Sequence, residues 1–329
     1  MKVLAVSNPS RYEKFAPDLP VRRETEIVFL PREDDEAEIT RTARDVDALF
    51  VSPVTPVTRA LIEQAPKLKM IHSEGVGFDR IDLEAARERG IFVCNNPGCN
   101  APAVAEISVM LMSMLLHRTL WGDREVRAGR QGQAVASLLE DVPSDLSDCA
   151  VGLVGFGAIA KATAERLRAY GSTLYYYARH RQSPEVEQAY GASYLPLPEL
   201  AARCDIVSLH VPANSESIHM IDADFLARMK PTAFLVNTAR GALIDDQALC
   251  NALRRGTIAG AGLDAYSPEP VPSDHPLLEL ARELPDKITF APHQGGITQS
   301  SFRTAQRMMW EDFAKITKGE RPDHIVNGL

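Results

Sequence analysis

The chain of 329 residues has few of the residue types that stabilise small secreted or metal-dependent domains. Its five cysteines are an odd number, and only Cys94 and Cys99, in "CNNPGC", lie close together. No histidine and cysteine cluster completes a metal site around them. We therefore expect buried free thiols and no structural metal, with a metal or redox role as the minor alternative.

Long apolar runs are also missing. The most apolar run, Ile107 to Leu116, is bounded by Glu106 and His117 and is too short to cross a bilayer. The first ten residues, "MKVLAVSNPS", lack the apolar length of a secretory signal, which favours a cytoplasmic protein. A net charge of −8 argues against nucleic acid or an anionic membrane as the main partner. Local basic clusters could still bind a small anion.

What the chain does have is a regular alternation of apolar, β-branched runs with amphipathic segments, over a length typical of two domains. The first series of strand candidates is "KVLAVS", "EIVFL", "ALFVS", "KMIHS" and "IFVCN". The second is "AVGLVGFG", "TLYYYA", "DIVSLHV", "AFLVNTA", "IAGAGLDA" and "KITFAPH". This rhythm predicts two α/β units, each with a parallel sheet.

Two helices stand outside the alternation. A Pro/Gly/Asn turn leads into a long apolar helix, about Ala101 to Leu120, which we interpret as a crossover between the domains. The last helix, about Gln299 to Lys318, has no strand of its own. Periodicity leaves open whether it covers the second sheet or returns to the first.

A glycine-rich turn in "VGLVGFGAIAKATAERLRAYG" joins a strand to a helix. Gly155 and Gly157 would let backbone N–H groups approach a pyrophosphate at the positive end of the helix that begins near Ala158. The third glycine of the fingerprint is Ala160, which the fingerprint tolerates. The sequence therefore predicts a dinucleotide site; the alternative is a plain strand-to-helix turn.

The acidic residue that binds the adenine ribose is missing from its usual position. Eighteen residues after Ala160 the strand "TLYYYA" ends at Ala178 and is followed by Arg179, His180 and Arg181. These groups could bind a 2′-phosphate by charge-assisted hydrogen bonds, so we predict NADP(H) as the preferred cofactor, with NAD(H) possible. The alternative is that Arg179 stacks on adenine and the rest is solvated.

Polar residues follow three later strands of the second series. Arg240 lies in "LVNTARGALID", Asp264 and Glu269 in "AGAGLDAYSPEPVP", and His293 in "ITFAPHQGG". A guanidinium could hold a substrate carboxylate and polarise the adjoining carbonyl, while a histidine paired with a glutamate could supply a proton. Each residue alone has an ordinary structural explanation, but together they predict an active site at one sheet edge.

With these residues in these places, the sequence closely resembles the D-isomer-specific 2-hydroxyacid dehydrogenases, a family that includes glyoxylate/hydroxypyruvate reductases, phosphoglycerate dehydrogenases and D-lactate dehydrogenases. The matching pieces are "SEGVGFDRID", "NAPAVAEISVMLM", "VGLVGFGAIA", "VPANSESIHMI", "MKPTAFLVNTARGALID", "GLDAYSPEP" and "PHQGG", spread over nearly the whole chain. The resemblance implies an NAD(P)-dependent oxidoreductase that interconverts small 2-oxo and D-2-hydroxy acids.

The resemblance also implies a role for individual residues. Arg240, Glu269 and His293 match the catalytic set, while Val76, Gly77, Arg240 and His293 would bind substrate. The expected cofactor-binding residues are Gly155, Phe156, Gly157, Ala158, Ile159, Ala178, Arg179, His180, Arg181, His210, Val211, Pro212, Ser217, Thr238, Ala239, Arg240, Asp264, His293 and Gly295. We expect the wall of the substrate pocket to involve 52–55, Glu74 and the last helix around 308–310. Gln294 is unusual for the family and has no mechanistic interpretation.

The family's fold implies a flavodoxin-like substrate-binding domain over 1–99 and 295–329, with a Rossmann NAD(P)-binding domain over 100–294 inserted into it. The last helix would return to the first domain, the active site would lie between the domains, and the long apolar helix would form part of a homodimer interface. We expect an NADPH-dependent 2-oxoacid reductase. The alternatives are an oxidative NAD-dependent dehydrogenase and, from another class, a dinucleotide-sensing corepressor or scaffold.

Overall fold

The chain divides into two compact units in the computed structural model, which describes residues 1–31 and 35–329. Unit 1 consists of Met1–Asn100 and Gly296–Leu329, and unit 2 is Ala101–Gly295. Each junction lies one residue after the predicted one. Each unit contains a parallel sheet between helices, so the predicted fold class is confirmed.

The sheet of unit 1 has the order β2-β1-β3-β4-β5 and all its pairings are parallel. Its apolar residues are buried on both faces, as expected for a parallel sheet covered by helices. The strands are β1 (Lys2–Ala5), β2 (Glu26–Phe29), β3 (Ala48–Val51), β4 (Met70–Ser73) and β5 (Phe92–Cys94). The helices are α1 (Pro9–Phe15), α2 (Pro20–Arg23), α3 (Glu36–Ala43), α4 (Arg59–Glu63), α5 (Leu83–Glu88) and α15 (Gln299–Thr317).

The sheet of unit 2 has the order β12-β11-β10-β9-β6-β7-β8, again parallel throughout. The strands are β6 (Ala150–Val154), β7 (Thr173–Tyr177), β8 (Ala192–Tyr194), β9 (Ile206–Leu209), β10 (Phe234–Asn237), β11 (Gly260–Leu263) and β12 (Ile288–Phe290). The α-helices are α6 (Ala101–Leu116), α7 (Thr119–Arg127), α8 (Gln131–Glu140), α9 (Ala158–Tyr170), α10 (Pro184–Tyr190), α11 (Leu197–Arg203), α12 (Ala223–Arg228), α13 (Asp246–Arg255) and α14 (Pro276–Glu283), and the short 3₁₀ turns are Leu146–Asp148 and Gly241–Leu243. Chain order reverses beside β6, which creates the switch point where α/β sheets bind ligands.

The long apolar helix is shorter than predicted. It ends at Leu116, because Arg118 adopts a left-handed conformation with φ 51° and α7 then begins in a new direction. Its apolar residues pack on the sheet, where Leu111 lies close to Gly262 of β11. The sequence interpretation also missed β8, whose three residues are too few to show an alternating pattern.

The last helix belongs to unit 1, which resolves the alternative that periodicity left open. Trp310 and Phe313 of α15 are buried and pack edge to face on Phe50 of β3, with ring centroids 5.4 and 5.8 Å away. Such aromatic contacts bury a large apolar area at defined geometry. The helix therefore completes the core on one face of the first sheet, as the resemblance implied.

Within the described ranges, no single helix has the length and apolar character needed to span a membrane. The bent pair of α6 and α7 reaches that length and apolar composition only when the two helices are taken together.

All five cysteines are buried free thiols, as predicted. Burial raises the pKa of Cys99 to about 12 and that of Cys250 to about 11. The same residues contain no group of three or more His, Cys, Asp or Glu side chains arranged to hold a metal ion.

Candidate active site

The predicted catalytic residues of unit 2 follow three neighbouring strands. Arg240 comes after β10, Asp264 after β11 and His293 after β12, and these strands are adjacent in the sheet. Parallel strands end at the same edge, so the three loops meet there. Glu269 reaches the same place from the loop after β11, where its carboxylate contacts His293.

His293 and Glu269 form the central pair of the site. Nδ1 of His293 lies 2.7 Å from one carboxylate oxygen of Glu269, and the other oxygen accepts a hydrogen bond from the N–H of Tyr266 at 2.8 Å. The exposed fractions of the two side chains are 41% and 27%, so both keep access to solvent. Because Nδ1 faces the carboxylate, Nε2 is the nitrogen left to exchange a proton with a bound molecule.

The two groups shift each other's pKa in opposite directions. The hydrogen bond to Glu269 raises the pKa of His293 and outweighs the opposing effect of burial. Burial favours a higher pKa for Glu269, but hydrogen bonds from His293 and Tyr266 prevail, and the pKa lies below its ordinary value. The positive charge of Arg240 is close enough to lower both pKa values. The geometry therefore favours an imidazolium beside a carboxylate, which suits a general acid.

Asp264 holds the backbone beside the histidine. Its two carboxylate oxygens accept hydrogen bonds from the N–H groups of Gln294 and Gly295, each at 2.8 Å. Burial raises the pKa of Asp264 against the effect of these two bonds. His293 itself has φ 56°, a left-handed conformation that is uncommon outside glycine and is often found at functional sites. Asp264 thus fixes the segment that presents the imidazole, and Gln294 takes part through its backbone.

Arg240 is positioned by a residue that sequence reasoning missed. The side-chain amide of Asn237, at the end of β10, donates to the carbonyl of Arg240 at 2.8 Å and accepts from the N–H of Ala239 at 3.0 Å. Asn237 is fully buried, so its side chain supplies hydrogen bonds that water cannot supply to these two backbone groups. The signal available in the sequence was a polar residue at the end of an apolar strand, directly before "TARG".

The surroundings of Gly241 explain why the same motif has a glycine at this position. A Cβ atom there would lie 1.9 Å from the carbonyl carbon of Tyr266, which is too close for any side chain. The loop after β10 therefore lies directly against the loop that carries Glu269. Close backbone approach, rather than a special backbone angle, requires glycine at this position.

The glycine-rich turn follows β6 at the switch point. Gly155 has φ 96°, and a Cβ atom there would lie 2.7 Å from the carbonyl oxygen of His210. Gly157 is the N-cap residue of α9 and has no side chain, so the N–H groups of the first turn have no side-chain cap. Ala160 is buried where the helix meets the sheet, and the ring of Phe156 is buried against Tyr176. Phe156 can therefore contact a cofactor only through its backbone.

The two arginines after β7 have different partners. Arg181 donates to both carboxylate oxygens of Glu187 in α10, at 2.8 and 2.9 Å, and the hydroxyl of Tyr176 donates to the same carboxylate. Together these bonds lower the pKa of Glu187 to about 2. Arg179 is exposed and its Nη1 lies 3.3 Å from a carboxylate oxygen of Glu216, in the loop after β9. Arg181 therefore stabilises its own loop, whereas Arg179 reaches toward a neighbouring one.

The loop after β9 is ordered by its own side chains. The hydroxyl of Ser217 donates to the carbonyl of Pro212 at 2.8 Å and accepts from the N–H of Asn214 at 2.9 Å. Burial lowers the pKa of His210 to about 3, and its Nε2 lies 3.0 Å from the hydroxyl of Ser208. The ring of His210 is therefore neutral at pH 7. Its Nδ1 is buried with no partner among the described residues.

The remaining residues predicted to bind the cofactor differ in how far they are exposed. Thr238 is buried with its hydroxyl 2.8 Å from that of Ser108 in α6, while Ala239 is half-buried. Ala158 and His180 are exposed, whereas Ile159, Ala178 and Val211 are half-buried. Ser108 is a second residue that the sequence interpretation missed, since nothing in an apolar helix pattern marks its contact with a loop 130 residues later.

In unit 1, the loop after β4 contains Val76 and Gly77. The side-chain amide of Asn95 donates to the carbonyl of Val76 at 2.8 Å, and the hydroxyl of Ser73 donates to that of Gly77 at 2.6 Å. Gly75 lies tightly against Pro53, since a Cβ atom there would be 2.5 Å from Pro53 Cγ. The N–H groups of Val76 and Gly77 have no hydrogen-bond partner within the described part of the chain.

Three of the predicted pocket residues are engaged elsewhere. Met309 and Trp310 face the core of unit 1 from α15 and are buried there, so these two do not line a pocket, whereas the neighbouring Met308 is half-buried. The carboxylate of Glu74 is also buried, and its oxygens bind Arg11 at 2.7 Å and Gln306 at 2.9 Å. A carboxylate with both oxygens occupied is a structural group in this arrangement.

Comparison with known proteins identifies the family. The model for the "D-isomer specific 2-hydroxyacid dehydrogenase, NAD binding domain" matches residues 109–295, more than half of the chain. The protein is a D-isomer-specific 2-hydroxyacid dehydrogenase by family. The Arg240, Glu269 and His293 set, with the glycine turn of the same unit, lies within the matched segment. The family is one of oxidoreductases with an NAD-binding domain, which agrees with the fold described above.

Relatives match along most of the chain. A glyoxylate reductase of Korarchaeum cryptofilum is 37% identical over 88% of this chain and 85% of its own length, and one of Thermococcus litoralis is 36% identical over 92% and 90%. Among solved structures, the D-lactate dehydrogenase of Aquifex aeolicus, complexed with NAD and lactic acid, superposes with a TM-score of 0.87 at 26% identity. That superposition covers 99% of both chains.

Proposed function

We propose that the protein is a reductase of small 2-oxo acids, such as glyoxylate or hydroxypyruvate, and that it forms D-2-hydroxy acids where the product is chiral. The observation that carries this proposal is the 2.7 Å contact between His293 and Glu269, which raises the pKa of the histidine. A protonated imidazole can donate a proton to a substrate carbonyl as it is reduced. The glyoxylate reductases among the relatives support the substrate class.

The chain fits a nicotinamide dinucleotide at the switch point. Gly155 lets the turn lie against the backbone of His210, a Cβ atom at Gly157 would project into open space, and the uncapped start of α9 offers backbone N–H groups to a pyrophosphate. When bound, the nicotinamide supplies the hydride. We assign the remaining work to the chain's own groups: Nε2 of His293 gives the proton, Glu269 orients the ring, and Arg240 binds the substrate carboxylate.

In unit 1, which we propose as the substrate-binding domain, the N–H groups of Val76 and Gly77 suit a second contact with a carboxylate. They have no partner in the described residues, and Asn95 and Ser73 hold the carbonyls of the same loop. Backbone N–H groups fixed in this way bind anions without a further loss of conformational freedom.

We further propose NADPH as the preferred cofactor. Alanine at position 178 removes the carboxylate that would repel a 2′-phosphate, and Arg179 with His180 presents exposed donors after β7. Arg181 contributes less, because both carboxylate oxygens of Glu187 already hold it. The NAD-dependent oxidative enzyme stays the main alternative, and the NAD complex of the Aquifex aeolicus relative is the observation that favours it.

Exposed apolar side chains support a homodimer. Val126 of α7 is 57% exposed, and Leu139 and Val142, at the end of α8 and just beyond it, are each 74% exposed. Contiguous exposed apolar patches are typical of interaction surfaces, and α7 packs against α8. We propose that this region meets a second copy of the chain.

Steady-state kinetics with a panel of 2-oxo acids tests the function. Glyoxylate, hydroxypyruvate, pyruvate, phenylpyruvate and branched 2-oxo acids are each assayed with NADPH and with NADH. We expect reduction of at least one small oxo acid, with a higher kcat/KM for NADPH. No oxidation of NADPH with any member would contradict the reductase and revive the corepressor alternative, whereas an equal or higher kcat/KM for NADH would contradict only the cofactor preference.

A further inference from the structure

The ends of β7 and β9 lie on opposite sides of the glycine-rich turn. The sheet register places Val154 beside Tyr177 on one side and beside Leu209 on the other. The next residues continue the pattern, since Gly155 N–H donates to the carbonyl of Tyr177 at 2.8 Å. Two strand spacings separate β7 from β9, about 9 to 10 Å in all. We call the space between the loops 178–183 and 210–217, above the turn, the switch-point crevice.

An ion pair between exposed side chains joins these two loops. Arg179 belongs to the first loop and Glu216 to the second, and their charged atoms are 3.3 Å apart. Arg179 and Glu216 are exposed, at 70% and 74%, so the ion pair is weak and easily exchanged. It lies at the mouth of the crevice, where the adenine ribose of a dinucleotide would enter.

The backbone that carries Glu216 is held in place independently of Arg179. Asn214 accepts hydrogen bonds from the N–H groups of Glu216 and Ser217, at 2.9 and 3.2 Å, and Ser217 fixes the rest of the turn. On the opposite side, the bidentate pair of Arg181 with Glu187 fixes the loop that carries Arg179. Both partners therefore approach each other from ordered backbone.

We infer that Glu216 is a specificity residue of the cofactor site, whose carboxylate competes with the 2′-phosphate of NADPH for Arg179. This inference rests on the proposed preference for NADPH and deepens it. A bound 2′-phosphate takes the guanidinium of Arg179 from Glu216, and the displaced carboxylate then lies near a second anion. Glu216 thus lowers the affinity for NADPH below what Arg179 alone would give, while a plain ribose hydroxyl is affected far less.

Calorimetric titration of adenosine 2′,5′-bisphosphate and of 5′-AMP into the intact protein tests this without any catalysed step. For Glu216→Gln we expect the bisphosphate to bind about three- to fivefold more tightly, the effect of one exposed charge a few ångströms away. The affinity for 5′-AMP should change less than twofold. The gain should shrink as salt rises from 0.05 to 0.5 M, because exposed charges are screened.

The control is Glu283→Gln, which breaks a similar surface pair, with Arg254 at 3.0 Å, between α14 and α13. It makes the same change in charge away from the switch-point crevice, so the bisphosphate affinity should stay at the wild-type value. If Glu283→Gln raised the bisphosphate affinity as much as Glu216→Gln does, the effect would come from net charge alone and the inference would be overturned.

Arg179→Ala separates this inference from the cofactor proposal. If it weakens bisphosphate binding while Glu216→Gln changes nothing, NADPH preference stands and the role of Glu216 is wrong. If Glu216→Gln instead weakens 5′-AMP binding, the carboxylate accepts the ribose hydroxyls and replaces the missing acid at position 178, which overturns both. If the wild-type protein binds 5′-AMP more tightly than the bisphosphate, the cofactor proposal fails and the inference fails with it.

Discussion

Two histidine–carboxylate pairs in this chain have the same chemistry and opposite surroundings. In unit 2, His293 contacts Glu269 at 2.7 Å, and the histidine side chain is 41% exposed. In unit 1, Nε2 of His72 lies 3.2 Å from Asp312, and the two side chains are 0% and 1% exposed. The second pair joins β4 to α15, two elements far apart in the sequence.

The difference lies in the second ring nitrogen. Nδ1 of His72 is 2.8 Å from the carbonyl of Ser73, so both nitrogens of that ring are used inside the protein. Among the described residues, His293 is bound through Nδ1 alone, so Nε2 can meet a substrate. A histidine–carboxylate pair can therefore transfer a proton only where one nitrogen stays accessible, and it otherwise stabilises the fold.

The largest expected effect is on catalysis. His293→Gln removes the proton donor, and we expect kcat for reduction of the best 2-oxo acid to fall by about 10²- to 10⁴-fold. The midpoint of thermal unfolding should change little, because the side chain is part-exposed. His117→Gln, which replaces an exposed histidine of the same unit, is the control and should keep its activity. A variant at position 293 with more than a tenth of the wild-type kcat would contradict the proposed mechanism.

The buried pair should affect stability instead. Asp312→Ala leaves His72 without its partner, removes the bond from His324 at 2.8 Å, and opens space in a packed core. We expect the free energy of unfolding, measured in urea, to fall by about 3 to 5 kcal/mol. Asp323→Ala is the control, because its exposed carboxylate pairs with Lys315 at the surface and such a pair contributes less than about 1 kcal/mol.

Asp312 should also make the stability of the protein depend on pH. Burial favours a higher pKa, but hydrogen bonds from His72, the N–H of Asp323 and His324 prevail and lower it. A carboxylate with a lowered pKa in the folded state stabilises the protein above its unfolded pKa, and this stability is lost as pH falls through the folded value. Wild type should therefore lose more stability than Asp312→Ala in that acidic range. Parallel loss in both proteins would show that folding does not lower the pKa of Asp312.

The smallest expected effect is a shift in a pH profile. Glu269→Gln keeps a hydrogen-bond acceptor for Nδ1 of His293 but removes the charge that raises its pKa. The protonated, proton-donating form of His293 predominates below that pKa and is lost as pH rises through it. We therefore expect the falling limb of kcat against pH to move to lower pH in the variant. An unmoved limb with a lower plateau would indicate that Glu269 only orients the ring.

Much of the fold followed from patterns within short segments. Apolar runs separated by helical segments predicted β1 to β7 and β9 to β12, and "GFG" after a strand predicted the turn at Gly155. Strand ends also predicted that Arg240, Asp264 and His293 share one edge. Two features were not predicted. Strand β8 has only three residues, and the helix break at Arg118 follows from a backbone angle that no local pattern marks.

By itself, the sequence determined the residue types that carry the chemistry and the strand ends on which they lie, because strand period and turn residues are local properties. Only the tertiary structure decided how those side chains are engaged. Arg181 is bound by Glu187, Arg179 by Glu216, and Asn237 holds the backbone on both sides of the loop that presents Arg240. Such contacts depend on distances between separate segments, which the packing of the sheet and its helices fixes and no single segment encodes.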